Sequence, residues 1–327
     1  MILQRCHDAV WCFLHILILN IPPTRLVLFP ALAGSVWFLT LASLLLTWIA
    51  RGMPRYPGQS NPHVAFISDI ASFELKPLFL VGSAIVAVGF VLTVAAVHVV
   101  RYEPGFALVQ ARTPAEDAEG SSSQVHPHEP DNPHDEDDNT TRTLKLISLL
   151  SIFAAGVAST ALILLSVMDT FRYKIAHHIF LRICFAGLAV QSACTAIVYF
   201  NEVLGFVSFV HHLGRWQHDW GRRHLRVRVF AALSTALIIV ELFLGVAFVS
   251  LTIPDENPNY SRAGVLEWVI AFLGTIYLWL FCGFLDRTDF TGYVPSALYK
   301  RAMPEAAPPD AERAPLLRRL SGRKYTS

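Results

Sequence analysis

The chain has 327 residues, of which 54% are apolar and only 16% are charged, and its mean hydropathy is +0.46. A soluble domain carries roughly 25% charged residues, so this composition excludes an ordinary soluble fold and indicates an integral membrane protein. The net charge of +1 gives no overall basic character, and a nucleic-acid partner is therefore not predicted.

Residues 1–25 are predicted to form a cytosolic or interfacial N-terminal segment. Their apolar stretch, Val10–Ile21, is shorter than the roughly 20 residues that a membrane-spanning helix needs, and it ends at Pro22 and Pro23. No small-residue cleavage site follows it, as a signal peptide would require. We interpret this stretch as an interfacial helix or as an N-terminal extension of the first span.

Six later apolar runs are long enough to cross the hydrocarbon layer of a membrane. In lipid the backbone must satisfy its own hydrogen bonds, so these runs must be helices. Ser151, Ala155 and Ser159 recur every four residues in the third run, and such small side chains allow helices to approach closely. The predicted fold is an all-α bundle within residues 26–290. The predicted spans are residues 26–49, 78–100, 144–168, 175–200, 229–253 and 265–285.

The distribution of positive charge predicts the orientation of the bundle. With the N-terminus inside, the inner segments hold nineteen Lys and Arg residues and the outer segments hold six. Cytosolic segments carry the excess of Lys and Arg in membrane proteins. Both termini are therefore predicted to be cytosolic.

Two cytosolic stretches have the composition of disordered chain. The loop over residues 113–141 is acidic and rich in Pro, Ser, Asn and His, and the tail over residues 291–327 is rich in Pro. Within the tail, Glu312, Leu316 and Leu317 have the spacing of an acidic dileucine sorting signal, which clathrin-type adaptors bind. This signal favours a vacuolar, lysosomal or other endomembrane destination, with the plasma membrane as the alternative. Asn259 lies in a glycosylation sequon on the predicted outer side.

The loop between the fourth and fifth spans mixes arginine with tryptophan. Aromatic rings prefer the membrane interface, and clustered arginines next to a span attract anionic lipids such as phosphoinositides. An alternative is that these arginines only fix the orientation of the bundle. The predicted lipid-contacting residues are Arg215, Trp216, Trp220, Arg222, Arg223 and Arg226.

Acidic and histidine side chains gather on the predicted outer side. Asp69, His178 and Glu267 are the candidates for acid–base chemistry on a lipid headgroup. The alternative is structural, in which these side chains cap helices, pair with Arg172 and Lys174, and hold the loops in register. Neither a nucleophile–base pair nor a metal-ligand spacing is recognisable, so no metal and no cofactor are predicted. The full outer set is Asp69, Glu74, Asp169, His177, His178 and Glu267.

Glu241 lies near the middle of the fifth predicted span, where a carboxylate is costly and usually has a partner. Arg182 lies roughly 10 Å inside the fourth span, at 1.5 Å per residue. We therefore hypothesise an Arg182–Glu241 pair that lines a polar cavity between these spans. A purely structural pair and a protonated Glu241 are the alternatives.

Three short motifs follow one another along the bundle: Ile67-Ser68-Asp69 after the first span, histidine at the start of the fourth, and Glu267-Trp268 at the start of the sixth. Their order resembles the DRAM/Frag/Sfk family of six-span membrane proteins, over about residues 25 to 290. The chain departs from the family at His63–Phe66, where a Pro-aromatic pair is usual, and in its long acidic loop.

The resemblance implies a role in membranes and lipids. The family includes autophagy modulators of the lysosome, plasma-membrane proteins that influence phosphoinositide synthesis and lipid asymmetry, and proteins that assist the lipid remodelling of GPI anchors. We therefore expect a non-enzymatic regulator of lipid organisation, phosphoinositide signalling or autophagy. The alternative is an enzyme, or an enzyme's partner, that remodels GPI anchors or lipid headgroups, and a transporter that uses Glu241 is a third hypothesis.

Overall fold

The structure is a computed structural model. It describes residues 9–11, 13–14, 16–18, 21–59, 61, 63–102, 108–110, 138–211, 222–252, 260–285 and 293–295. Among these residues, six helices are long and apolar enough to cross a membrane, and the predicted all-α bundle of six spans is confirmed. The described residues between Ala9 and Ile18 are also helical.

After this N-terminal stretch, nine helices follow one another over the described part of the chain. The membrane-spanning ones are α2, α4, α5, α6, α8 and α9. The short helix α1 precedes the first span, and the short helix α3 and the 12-residue helix α7 lie between later spans. The bounds are α1 Pro23–Leu26, α2 Leu28–Ala50, α3 Ile67–Ala71, α4 Lys76–Tyr102, α5 Asp138–Val167, α6 Lys174–Val198, α7 Phe200–His211, α8 Arg222–Thr252 and α9 Tyr260–Leu285.

The spanning helices form a ring in the order α6, α5, α4, α2, α9, α8, and α8 returns to contact α6. The first and last spans are therefore neighbours. Trp37 of α2 donates a hydrogen bond to the Ala271 carbonyl of α9, at 3.1 Å. Helix α8 is the least buried span, whereas half of the central part of α4 and of α9 lies inside the protein. Most of the α8 surface is therefore left for lipid.

Contacts between loops and helix ends define the two ends of the bundle. The Asp69 end comprises the described residues between 51 and 75, residues 168–173 and the first turns of α4, α6 and α9. The Arg101 end lies at the other end of α4, where Arg101 forms an ion pair with Glu202 of α7 and lies 4.7 Å from the centre of the Tyr199 ring. In the predicted orientation the Asp69 end is extracytosolic.

Helix α7 begins directly after the fourth span and is too short to cross a membrane. One side of it packs against α8. Its other side leaves Phe200, Leu204, Val207 and Val210 about half exposed, at spacings of three and four residues. This pattern is typical of an amphipathic helix at the membrane interface.

Outside the bundle, β1 (Leu108–Gln110) and β2 (Tyr293–Pro295) pair as antiparallel strands. Leu108 lies opposite Pro295, and Gln110 lies opposite Tyr293. These strands belong to a unit separate from the bundle. β2 lies within the stretch predicted to be a disordered tail, and α5 begins at Asp138, within the stretch predicted to be a disordered loop. The disorder of the rest of both stretches stays a prediction. Composition averages over a long stretch and does not resolve segments this short.

Candidate functional site

Asp69 lies in the first turn of α3, where it caps the helix. Its Oδ2 atom accepts a hydrogen bond from the Phe66 backbone N–H at 3.1 Å. The first N–H groups of a helix have no partner within the helix, so a carboxylate at this position satisfies one of them. Asp69 is only 2% exposed, and Phe66 next to it is also buried. Asp69 therefore has the structural contact that a capping residue makes.

Glu267 binds the next backbone group of the same turn. Its Oε2 atom accepts a hydrogen bond from the Ile67 N–H at 2.9 Å, and the neighbouring Trp268 donates its indole N–H to the Ala65 carbonyl at 3.1 Å. Asp69 lies close enough to Glu267 to act on it electrostatically. The structure thus brings the predicted candidates Asp69 and Glu267 together, and each carboxylate accepts a hydrogen bond from a backbone N–H group.

Asn61 fixes the loop that precedes α3 to α9. Its side-chain amide donates to the Ser261 carbonyl at 3.2 Å, while its Oδ1 atom accepts from the N–H groups of His63 and Val64 at 3.1 and 3.2 Å. The loop approaches α9 so closely that a Cβ atom at Gly264 would lie 2.8 Å from the Val64 carbonyl oxygen. Only glycine fits there, and sequence reasoning did not identify Asn61 or Gly264.

Asp169 and His177 make separate contacts at the same end. Asp169 accepts from the Arg172 backbone N–H at 2.7 Å and pairs with Lys76 at 3.0 Å, so its ionic partner is Lys76. Burial opposes ionisation of Asp169, but these two partners outweigh it and hold its pKa below the usual range. Buried His177 donates from Nδ1 to the Met168 carbonyl at 2.8 Å, because a carbonyl can only accept.

His178 lies on the exposed side of α6, and its ring centre is 6.2 Å from that of His177. The three residues predicted as candidates for acid–base chemistry are therefore in two different settings: Asp69 is buried against α9, whereas His178 is open to the surroundings. Within the described residues, no group of three or more His, Cys, Asp or Glu side chains could hold a metal ion.

The hypothesised Arg182–Glu241 pair does not form. The ion pairs among the described residues do not include these two side chains, and the Oε1 atom of Glu241 is buried without a hydrogen-bond partner. The reason is the face of α6 on which Arg182 lies. A helix turns by about 100° per residue, so Arg182 lies about 180° around the helix axis from buried Gln191. Arg182 is accordingly exposed. Glu241 instead lies close enough to Tyr277 of α9 for an electrostatic interaction.

A buried polar network joins α4, α5 and α6 within the membrane-spanning part. His98 is fully buried, and its two ring nitrogens lie 3.0 Å from Ser148 Oγ and 3.1 Å from Thr195 Oγ1. Thr195 Oγ1 is also 3.1 Å from Ser151 Oγ. Such bonds satisfy polar groups that lipid and apolar side chains cannot satisfy.

The network continues from α6 to α9. Gln191 donates from Nε2 to Thr195 Oγ1 at 2.9 Å and accepts at Oε1 from the Tyr277 hydroxyl at 3.3 Å. Sequence reasoning missed this network. The signal was the helical spacing of polar residues inside otherwise apolar spans, three residues apart for Ser148 and Ser151 and four apart for Gln191 and Thr195.

Burial of Asp69 predicts that its own contribution to stability decreases as the pH rises. Burial raises the pKa of Asp69 from 3.8 to about 6, and the hydrogen bond from the Phe66 N–H offsets part of this effect. The folded protein therefore binds more protons than the unfolded chain between about pH 4 and pH 6, and stability falls as the pH rises through this range. We expect Asp69→Asn to remove this part of the pH dependence, on the order of 1–3 kcal/mol.

The measurement is the melting temperature of the purified protein in detergent at several values from about pH 4 to pH 7. The Asp69→Asn variant keeps an oxygen that accepts from Phe66 but cannot ionise. Its melting temperature minus that of the wild type should increase with pH. A constant difference across the range would contradict the raised pKa.

Several predicted functional residues lie outside the described residues. These are Arg215 and Trp216, Trp220, the sequon residue Asn259, and the sorting residues Glu312, Leu316 and Leu317. Arg222, Arg223 and Arg226 lie in the first two turns of α8, where the structure describes the backbone only.

Comparison with family models places this bundle among known proteins. A model described as the Frag1/DRAM/Sfk1/Cwh43P N-terminal domain matches residues 25–286, which include all six spans. Comparisons with curated proteins and with solved structures gave no match. The resemblance seen in the Ile67-Ser68-Asp69 and Glu267-Trp268 motifs is thereby confirmed: the chain belongs to the Frag1/DRAM/Sfk1/Cwh43P family of membrane proteins.

Proposed function

We propose that this protein is a non-enzymatic membrane regulator of lipid organisation. The observation that supports the proposal is the bonding of the acidic side chains at the Asp69 end. Asp69 and Glu267 accept the backbone N–H groups of Phe66 and Ile67 at the start of α3, and Asp169 pairs with Lys76. A catalytic acid or base must reach a proton on its substrate. Side chains that hold the loop against α9 instead suit a rigid surface that lipids contact.

One observation favours the alternative, a lipid- or GPI-remodelling enzyme or an enzyme's partner. Burial raises the pKa of Asp69 to about 6, and a second carboxyl group, that of Glu267, lies next to it. A carboxyl group with a raised pKa beside a second carboxyl group is typical of acid–base sites, although structural clusters also show this arrangement. The two functions differ in what the loss of one carboxylate does to a lipid conversion.

The test uses Asp69→Asn, Glu267→Gln and His178→Gln, each expressed in cells that lack the endogenous protein. Lipids, including the lipid part of GPI anchors, are then profiled by mass spectrometry. We expect each variant to retain the lipid composition that the wild type supports, because Asn and Gln keep the structural hydrogen bonds. Loss of the same lipid conversion in all three variants, with normal amounts of folded protein, would instead establish the enzymatic alternative.

We further propose a lysosomal or vacuolar location with a role in autophagy, and contact between anionic lipids and the arginines around Arg222. The support is the tail sequence of Glu312, Leu316 and Leu317 and the position of Arg222 at the start of α8. Clathrin-type adaptors would bind the tail. The arginine-rich segment would attract phosphoinositides through its charge.

Replacing Leu316 and Leu317 by alanine is expected to shift a tagged chain from lysosomal or vacuolar membranes to the plasma membrane. An adaptor reads the two leucines together with Glu312, so the loss of both should remove sorting. The matched control is Leu320→Ala in the same tail. Fluorescence microscopy with a lysosomal marker measures the shift, and an unchanged distribution of the double variant would refute the sorting role.

A further inference from the structure

A surface pocket of about 290 Å³ opens at the Asp69 end, between the last turn of α2 and the segment that joins α3 to α4. Its position is level with the end of a membrane span, where lipid headgroups lie. The walls include two charged, two aromatic and two further side chains: Arg51, Glu74, Tyr56, Phe73, Thr47 and Ile70.

The end of α2 holds Arg51 at this level. Gly52 has a φ of +76° and donates its N–H to the Ile49 carbonyl at 2.9 Å, while the next residue, Met53, donates to the Trp48 carbonyl at 3.0 Å. These two bonds are the Schellman arrangement that ends a helix at a glycine. Arg51 is thereby the C-terminal cap of the span, directly at the membrane boundary.

The aromatic wall is rigid. The Tyr56 and Phe73 rings are stacked with their centres 5.2 Å apart, and Phe73 also contacts Phe171 at 5.0 Å. Gln59 fixes the backbone of Tyr56, because its side-chain oxygen accepts from the Tyr56 N–H at 3.0 Å and its own N–H donates to the Tyr56 carbonyl at 3.1 Å. The pocket thus has a preformed shape and does not depend on one flexible side chain.

The two charges of the pocket face each other. Arg51 forms an ion pair with Glu74, and the two side chains are 49% and 69% exposed. Exposed ion pairs contribute little stability, so a ligand that supplies both charges can replace this one at small cost. A phosphate group suits the arginine fork, and an organic cation suits a carboxylate beside aromatic rings.

We propose that this pocket binds the zwitterionic phosphoamine headgroup of a phospholipid, phosphocholine or phosphoethanolamine, in the leaflet at the Asp69 end. Arg51 binds the phosphate, and Glu74 with Tyr56 and Phe73 binds the ammonium group. This inference rests on the proposed role in lipid organisation and names the lipid class on which that role would act.

The test measures thermal stabilisation of the purified full-length protein in detergent, because a ligand that binds only the folded state raises its melting temperature. The probes are phosphatidylcholine, phosphatidylethanolamine, phosphatidylglycerol and water-soluble glycerophosphocholine. We expect stabilisation by the first two lipids, with about tenfold weaker binding for Arg51→Gln and for Glu74→Gln. The matched control is Arg55→Gln, an exposed arginine of the same loop, which should bind as the wild type does.

Three results would overturn the proposal: equal stabilisation by phosphatidylglycerol, unchanged binding by Arg51→Gln, or binding as weak for Arg55→Gln as for Arg51→Gln. Glycerophosphocholine that binds as tightly as phosphatidylcholine would show that the ligand is a soluble phosphoamine and not a lipid. The lipid profile of cells with Arg51→Gln separates the two proposals. If the wild type binds the lipid but Arg51→Gln, which loses binding, leaves the cellular lipid profile unchanged, the regulatory function alone is refuted. If the protein affects the cellular lipid profile but binds none of these lipids, the pocket alone is refuted.

Discussion

Replacing Gly187 by leucine is expected to separate α5 from α6 and to cost about 3 kcal/mol of stability. A Cβ atom at Gly187 would lie 3.0 Å from the Cβ of Ala158 and 3.1 Å from the Ala154 carbonyl oxygen. Ala154 and Ala158 are buried in this contact. Two of the nearest atoms, the Ala154 carbonyl oxygen and the Ala158 nitrogen, are backbone atoms that cannot rotate away, so a larger side chain must push the helices apart. Overpacking costs typically 1–3 kcal/mol, and close packing of small residues is a main source of helix association in lipid.

The matched control is Gly156→Leu on α5, because a Cβ atom at Gly156 meets nothing within 4 Å. Both substitutions replace a helical glycine by leucine, so the gain in helix propensity, about 1 kcal/mol, is common to the two. Fluorescently tagged protein is heated to a series of temperatures, and size-exclusion chromatography then measures the fraction that remains monodisperse. The temperature at which this fraction falls to half is the melting temperature. Equal melting temperatures for the two variants would refute the close contact at Gly187.

The spans could be predicted from the sequence because the bilayer imposes both their length and their helical structure. The small residues Ser151, Ala155 and Ser159 of α5 are all buried, so their spacing identified a packing face correctly. Spacing along one helix cannot identify the partner, and Gly187 of α6 emerged only from the structure. The same limit applies to Gly264, whose neighbour Asn61 lies far away in the chain.

The candidate site was predictable as a set of residues but not as a set of contacts. The motif positions placed Asp69 and Glu267 on one side of the membrane, and the structure joins them through α3. The Arg182–Glu241 hypothesis was wrong because it used depth alone. Two residues at matching depth meet only if both face the same interface, and Arg182 lies opposite the buried face of α6.

Substituting His98 by alanine is expected to destabilise the protein by about 3 kcal/mol, since it removes a fully buried ring and two hydrogen bonds. The bonds reach Ser148 on α5 and Thr195 on α6, so His98 links three helices. The matched control is His63→Ala, which removes an exposed imidazole from the loop at the Asp69 end and should change stability little. Thermal unfolding in detergent measures both variants.

A double-mutant cycle with Ser148→Ala separates the hydrogen bond from the loss of ring volume. Removing the serine hydroxyl should destabilise the wild type by more than it destabilises the His98→Ala variant, because only the wild type has the 3.0 Å bond to lose. Hydrogen bonds between membrane helices contribute about 0.6 kcal/mol on average and at most about 1.7 kcal/mol. A coupling energy in that range would show that the hydrogen bond between His98 and Ser148 contributes to the association of α4 with α5. If Ser148→Ala had the same effect in both chains, the whole cost of His98→Ala would come from the cavity and the bond to Thr195.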